Sequence, residues 1–217
     1  MYLQLLVPLK YSLGIAALIG IWRFRKISVV FLPFLLFLWL GFANEIVSEV
    51  TARVWRNTTL NNNIYVLLEA CLILWQFQKW GLFQRQKAFV PVLLLSFVTF
   101  WCVEIFVNYH YLYVASYFRI FYSFVIVLMS IHMINFIIVS ESRSLLKNPI
   151  FLICIGFIIF FTYKILIEIF WVYGLNGSRD FRNNVYMIHS LINFFSNIIY
   201  ALAALWVPRK QIFLMPS

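Results

Sequence analysis

Long apolar stretches broken by short polar interruptions run the length of the chain. Seven of them, near residues 3–22, 28–50, 63–79, 88–108, 117–140, 149–173 and 183–206, predict helices. A bilayer core of about 30 Å needs about 20 mostly apolar residues per helix, and a helix satisfies its own backbone hydrogen bonds there. The runs are continuous rather than alternating, which excludes a membrane β-barrel. The predicted fold is therefore an all-α polytopic membrane protein with seven transmembrane helices. Composition agrees: 64% of the 217 residues are hydrophobic and 11% are charged, too few polar groups to clothe a water-soluble domain.

The net charge of +10 would suit a nucleic-acid binder, but the basic residues lie at helix ends and not on one soluble face. They report orientation instead. Arg23, Arg25, Lys26, Lys79, Arg85, Lys87, Arg143, Lys147, Arg209 and Lys210 follow helices 1, 3, 5 and 7, while Arg53, Arg56, Arg119, Arg179 and Arg182 lie on the other side. The excess predicts the N-terminus outside and the C-terminus in the cytoplasm. Helix 1, interrupted by Pro8 and Lys10, is the weakest span, and no removable signal peptide is expected. The bias toward Phe, Ile and Asn suggests a bacterial cytoplasmic membrane.

At an offset of about 120 residues the chain repeats. Glu49 is followed by Asn57-Thr58-Thr59 and by Asn62-Asn63-Ile64-Tyr65; Glu168 is followed by Asn176-Gly177-Ser178 and by Asn183-Asn184-Val185-Tyr186. The apolar frame Ile46-Val47-Ser48-Glu49-Val50 recurs as Ile165-Leu166-Ile167-Glu168-Ile169. Helices 1–3 (residues 1–80) and 5–7 (residues 117–207) then form two parallel units within one membrane domain, joined by helix 4 (88–108). Asn57 and Asn176 open glycosylation sequons on the outer side, which in a bacterial chain read as turn residues. A three-plus-one-plus-three bundle of this length with its N-terminus outside resembles the SWEET and PQ-loop transporters. The likeness is architectural: no Pro-Gln pair occurs, and no functional residue transfers. It implies a pathway between two three-helix units.

Five of the six Glu residues, Glu45, Glu49, Glu69, Glu104 and Glu168, fall inside helices 2, 3, 4 and 6, all in the predicted outer half. An ionised group near mid-bilayer costs about 2.5–3.5 kcal/mol on insertion scales, so such groups pair, protonate or face water. Arg119, Lys164 and His189 occupy the same layer. Glu45, Glu49 and Arg53 form one stripe on helix 2, and His189, Asn193, Asn197 and Tyr200 another on helix 7. Under the repeat, Glu45 corresponds to Lys164 and Glu49 to Glu168, so oppositely charged equivalents are expected to pair. Glu69, with no basic neighbour on its own helix, is the sharpest candidate for proton exchange.

Enzymatic and receptor signatures are missing. His110, His132 and His189 lie on separate elements and Asp180 is the single Asp, so neither a metal site nor a cofactor is predicted. There is no Gly-x-Ser-x-Gly elbow and no Gly-rich phosphate loop, and helix 7 carries no lysine for a retinal Schiff base. Cys71, Cys102 and Cys154 read as packed apolar residues. The expected function is a small-solute transporter or permease with a polar, acidic site in the outer half, proton-coupled through Glu69 or Glu168. Gln76 and Ser130, with the helix 7 stripe, offer a polar path inward. The alternative is a ligand-binding sensor or accessory subunit that acts through a partner protein and uses the tail Pro208-Arg209-Lys210. Lipid and an unidentified solute are the expected partners, and nucleic acid is not.

Overall fold

The structure, a computed structural model, describes residues 12–83, 88–107, 113–140, 145–174 and 177–208. Pro8, Lys10, Arg85, Lys87, His110, Arg143, Asn176, Arg209 and Lys210 lie outside them. Among the described residues there are seven α-helices and no strand: α1 Leu13–Arg23, α2 Leu32–Trp55, α3 Thr59–Lys79, α4 Phe89–Cys102, α5 Ser116–Ser140, α6 Pro149–Val172 and α7 Arg179–Trp206. A π-helical turn, Val103–Val107, extends α4. Five of these helices, α2, α4, α5, α6 and α7, are long and apolar enough to cross a membrane. The 21-residue α3 is not among them, because Asn61, Asn62, Asn63, Glu69 and Gln76 interrupt its apolar run.

Helix boundaries extend past the sequence expectation wherever polar residues find partners. Helix α3 starts at Thr59, four residues earlier than expected, because Asn61, Asn62 and Asn63 are all bonded to groups off their own turn. Helix α7 starts at Arg179, where the Ser178 side chain accepts the Phe181 N–H at 3.1 Å. At the other end, α6 opens with Pro149 behind Asn148, whose Oδ1 accepts from the N–H groups of Ile150 and Phe151 at 2.9 and 3.2 Å. The C-terminus of α7 is capped from α1: the Arg23 guanidinium donates to the carbonyls of Ala204, Leu205 and Val207.

Helix neighbours define a ring. Helix α1 packs on α2 and α7, α2 on α3, α3 on α5, α5 on α6, and α6 on α7, while α4 lies outside against α3 and α5. The centre is aromatic. Phe37 meets Phe157 and Tyr200 edge-on, with centroids 5.6 and 5.8 Å apart, and Phe77 and Phe161 flank Phe157. Edge-to-face contacts at these separations favour a dense, dry core. Helices α6 and α7 approach closely at Gly156, where an added Cβ would overlap the Tyr200 ring. Outward-facing Val139, Leu95, Phe106, Phe124 and Phe195 are exposed, as lipid-facing side chains are.

Candidate functional site

One end of the bundle, here the upper end, carries the α2–α3 and α6–α7 connections. Below its rim, Glu69 of α3 is 1% exposed and takes three donors. Tyr65, one turn earlier, donates to Oε1 at 2.9 Å. Lys164 of α6 and Tyr122 of α5 donate to Oε2 at 2.8 and 2.5 Å, and Lys164 also donates to the Tyr122 hydroxyl. Three helices thus meet in one fully bonded ionic network. A buried pair of this kind holds only when its remaining hydrogen-bonding positions are filled. Lys164 Nζ also lies 5.1–5.5 Å from the ring centroids of Tyr122, Phe160 and Phe161.

Above this network a cavity of about 750 Å³ opens between α3, α4, α5, α6 and α7. Its wall includes Glu104, Arg119, Lys164, Glu168 and His189. Arg119 Nη1 donates to Glu168 Oε1 at 3.1 Å, and the Ser116 hydroxyl donates to Glu168 Oε2 at 2.6 Å. Glu104 serves α5: its two oxygens accept the N–H groups of Tyr117 and Phe118 at 3.0 and 2.6 Å, filling donors that a helix N-terminus leaves open. The π turn that holds Glu104 is the local device that presents it there. His189 stacks nearly parallel on Tyr163, with centroids 6.1 Å apart.

Two atoms of this site stand out. Arg119 Nε and His189 Nδ1 are both buried and have no hydrogen-bond partner among the described residues. Most buried polar atoms in proteins are paired, so unpaired ones on a cavity wall mark positions for a ligand or water.

The ten expected site residues therefore separate. Glu69, Glu104, Arg119, Lys164, Glu168 and His189 come together. Glu49 does not: it pairs with Arg53 at 2.7 Å along its own helix, and both side chains are largely solvent-facing. Glu45 is half-buried on α2, and the partner of Lys164 is Glu69 rather than Glu45. Asn197 donates to the Ser12 hydroxyl at 2.8 Å and to Asn193 at 3.3 Å, tying α7 to α1 away from the cavity.

Nor do the polar residues expected to lead inward form a path. Gln76 bridges the start of α2, accepting from Phe34 N–H at 2.7 Å and donating to Val30 O at 2.8 Å. Ser130 bonds to the carbonyl of Ile126 in its own helix. Below the cavity, Lys164 reaches down to Glu69 and its Nζ is ringed by Tyr122, Phe160 and Phe161. Sequence reading missed Tyr65, Tyr122 and Ser116, three hydroxyls that complete the ionic pairs. Tyr65 stands at the i−4 position of Glu69 and was legible; Tyr122 is one tyrosine among 12 and carried no signal.

Comparison with protein-family models, curated proteins and solved structures finds no match to this chain.

Proposed function

We propose that this chain is a small-solute transporter or permease with seven spans, its N-terminus outside and its C-terminus in the cytoplasm. The reading is carried by the upper cavity, a concave site of ligand size whose wall holds ion pairs from α5 and α6 and two unpartnered buried nitrogens. The ring order supports two parallel units, since exchanging α1–α3 with α5–α7 maps the α3–α5 contact onto the α7–α1 contact. Matching turns support it too: α2 ends in a left-handed residue, Arg56, and α6 is followed by left-handed Gly174. In this proposal the aromatic core beneath the ionic network is the inner gate of an outward-open state. Glu69 couples a proton to solute movement, because protonating it removes the charge that holds Lys164.

Reconstituted vesicles with an imposed pH gradient test this directly. Wild-type protein is expected to accumulate solute in a pH-dependent manner and Glu69→Gln to abolish that dependence; unchanged uptake by the variant sinks the coupling role. The engagement of Gln76, Ser130 and Asn197 in structure favours a second reading as a ligand-binding sensor acting through a partner protein. Saturable binding without flux in the same vesicles would select it.

A further inference from the structure

Every carboxylate oxygen of Glu69, Glu104 and Glu168, in and below the cavity wall, accepts a hydrogen bond, while two polar atoms of wall residues have no partner among the described residues. Glu69 Oε1 and Oε2 receive Tyr65, Tyr122 and Lys164; Glu168 Oε1 and Oε2 receive Arg119 and Ser116; Glu104 Oε1 and Oε2 receive two backbone N–H groups. Each of these carboxylate oxygens already accepts at least one bond, so none is left unpaired. On the donor side, Arg119 spends one Nη1–H on Glu168 while its Nε–H, which can only donate, is buried without an acceptor. Its side chain is 14% exposed, so water reaches it poorly. An unmade bond of this type is costly, most of all on a charged group, and an acceptor delivered by a ligand recovers it. His189 Nδ1 is the second unused polar atom, able to donate in the matching tautomer.

Apart from Asn62, the rest of the wall is apolar or aromatic, including Val114, Ile167, Trp171 and Val172. We infer that this cavity binds a small organic carboxylate with an apolar body, the carboxylate oxygens on Arg119 Nε–H and His189 and the body against Trp171 and Ile167. The inference deepens the transporter reading by naming its solute class. A neutral solute leaves the guanidinium donor less well matched, and an ammonium group, which like Arg119 Nε–H can only donate, cannot satisfy it.

The test uses purified full-length protein in a neutral detergent and follows its thermal unfolding at constant ionic strength. The probes are phenylacetate, 2-phenylethanol and 2-phenylethylamine, which share one body and differ in head group. Phenylacetate is expected to raise the melting temperature saturably, with little effect from the alcohol or the amine. Arg119→Lys keeps a charge for Glu168 but removes the Nε–H, and should weaken phenylacetate about tenfold, the loss of roughly one charge-assisted hydrogen bond. If that variant does not fold, His189→Phe is expected to weaken the same probe several-fold. Equal or tighter binding of the amine, no effect of phenylacetate, or unchanged phenylacetate affinity in the variant that folds overturns the inference. Binding is measured without flux, so an amine-selective site would overturn this inference and leave transport standing, whereas carboxylate binding without uptake would do the reverse.

Discussion

The α2–α3 and α6–α7 hairpins share an Asn-Asn-x-Tyr motif and use it differently. Between α2 and α3 the seam is polar: Asn61 bonds to Asn44 and Ser48 at 2.8 and 3.0 Å, and Ser48 to Asn62 at 3.3 Å. Between α6 and α7 it is aromatic. Phe170 meets Phe181, Trp171 meets Tyr186, and Tyr163 donates to Val185 O at 3.1 Å. The shared Asn-Asn-x-Tyr motif diverges most. Asn63 is fully buried because α4 and the start of α5 cover it: it donates to Tyr113 O, accepts from Ala115 N–H, and its carbonyl takes the Trp101 indole. Its counterpart Asn184 is exposed, and among the described residues no further helix follows α7 to cover it. Tyr65 accordingly turns to Glu69, while Tyr186 lines the cavity. A linker helix on one side is enough to convert one motif into a staple and leave the other free for a site.

That asymmetry can be challenged by paired substitutions. The largest effect is expected at the equivalent acids. Glu168 is 7% exposed and holds Arg119, so Glu168→Ala leaves a buried cation and should cost about 3–5 kcal/mol. Glu49→Ala removes a solvated pair, with Glu49 45% exposed, and should cost under about 1 kcal/mol. Equal losses in thermal unfolding would break the comparison.

Next come the asparagines. Asn63→Ala orphans the Ala115 N–H and the Tyr113 carbonyl, a cost of about 2–4 kcal/mol, whereas Asn184→Ala should stay within about 0.5 kcal/mol. Chemical denaturation of both variants in one detergent provides the measurement. The smallest effect separates two buried tyrosines. Tyr200 has a hydroxyl with no partner among the described residues, so Tyr200→Phe should be neutral or stabilising by up to about 1 kcal/mol. Tyr122→Phe removes a donor to Glu69 and an acceptor of Lys164, and should destabilise by about 1–3 kcal/mol. A reversed order in melting temperature would mean that the polar layer contributes less to stability than the aromatic core.

Much of the site could be read before any coordinates, and particular residues show where reading stopped. Glu69, Arg119, Lys164, Glu168 and His189 were identifiable because ionisable groups in apolar helices are costly and must meet each other or water. Glu49 and Glu168 were indistinguishable in sequence, with the same apolar frame and a basic residue one turn away. What separates them is the neighbour across the seam: α5 brings Arg119 and Ser116 to Glu168, while among the described residues Glu49 pairs with Arg53 of its own helix. The supposed polar path failed for a related reason. Gln76, Ser130 and Asn197 lie at suitable depths, but a polar side chain in an apolar bundle bonds to the nearest backbone or hydroxyl, and each finds one.

Hydropathy and turn chemistry by themselves determined the helices, their order and which ionisable groups had to be reconciled with an apolar interior, because these depend on each segment's own residues and on backbone groups that a helix satisfies locally. Tertiary structure decided the partners. Whether Lys164 meets Glu45 or Glu69, whether Asn63 is covered, and whether a cavity stands above the ionic layer depend on how helices distant in sequence lie against one another. Residues one turn apart on a single helix carry no record of that arrangement.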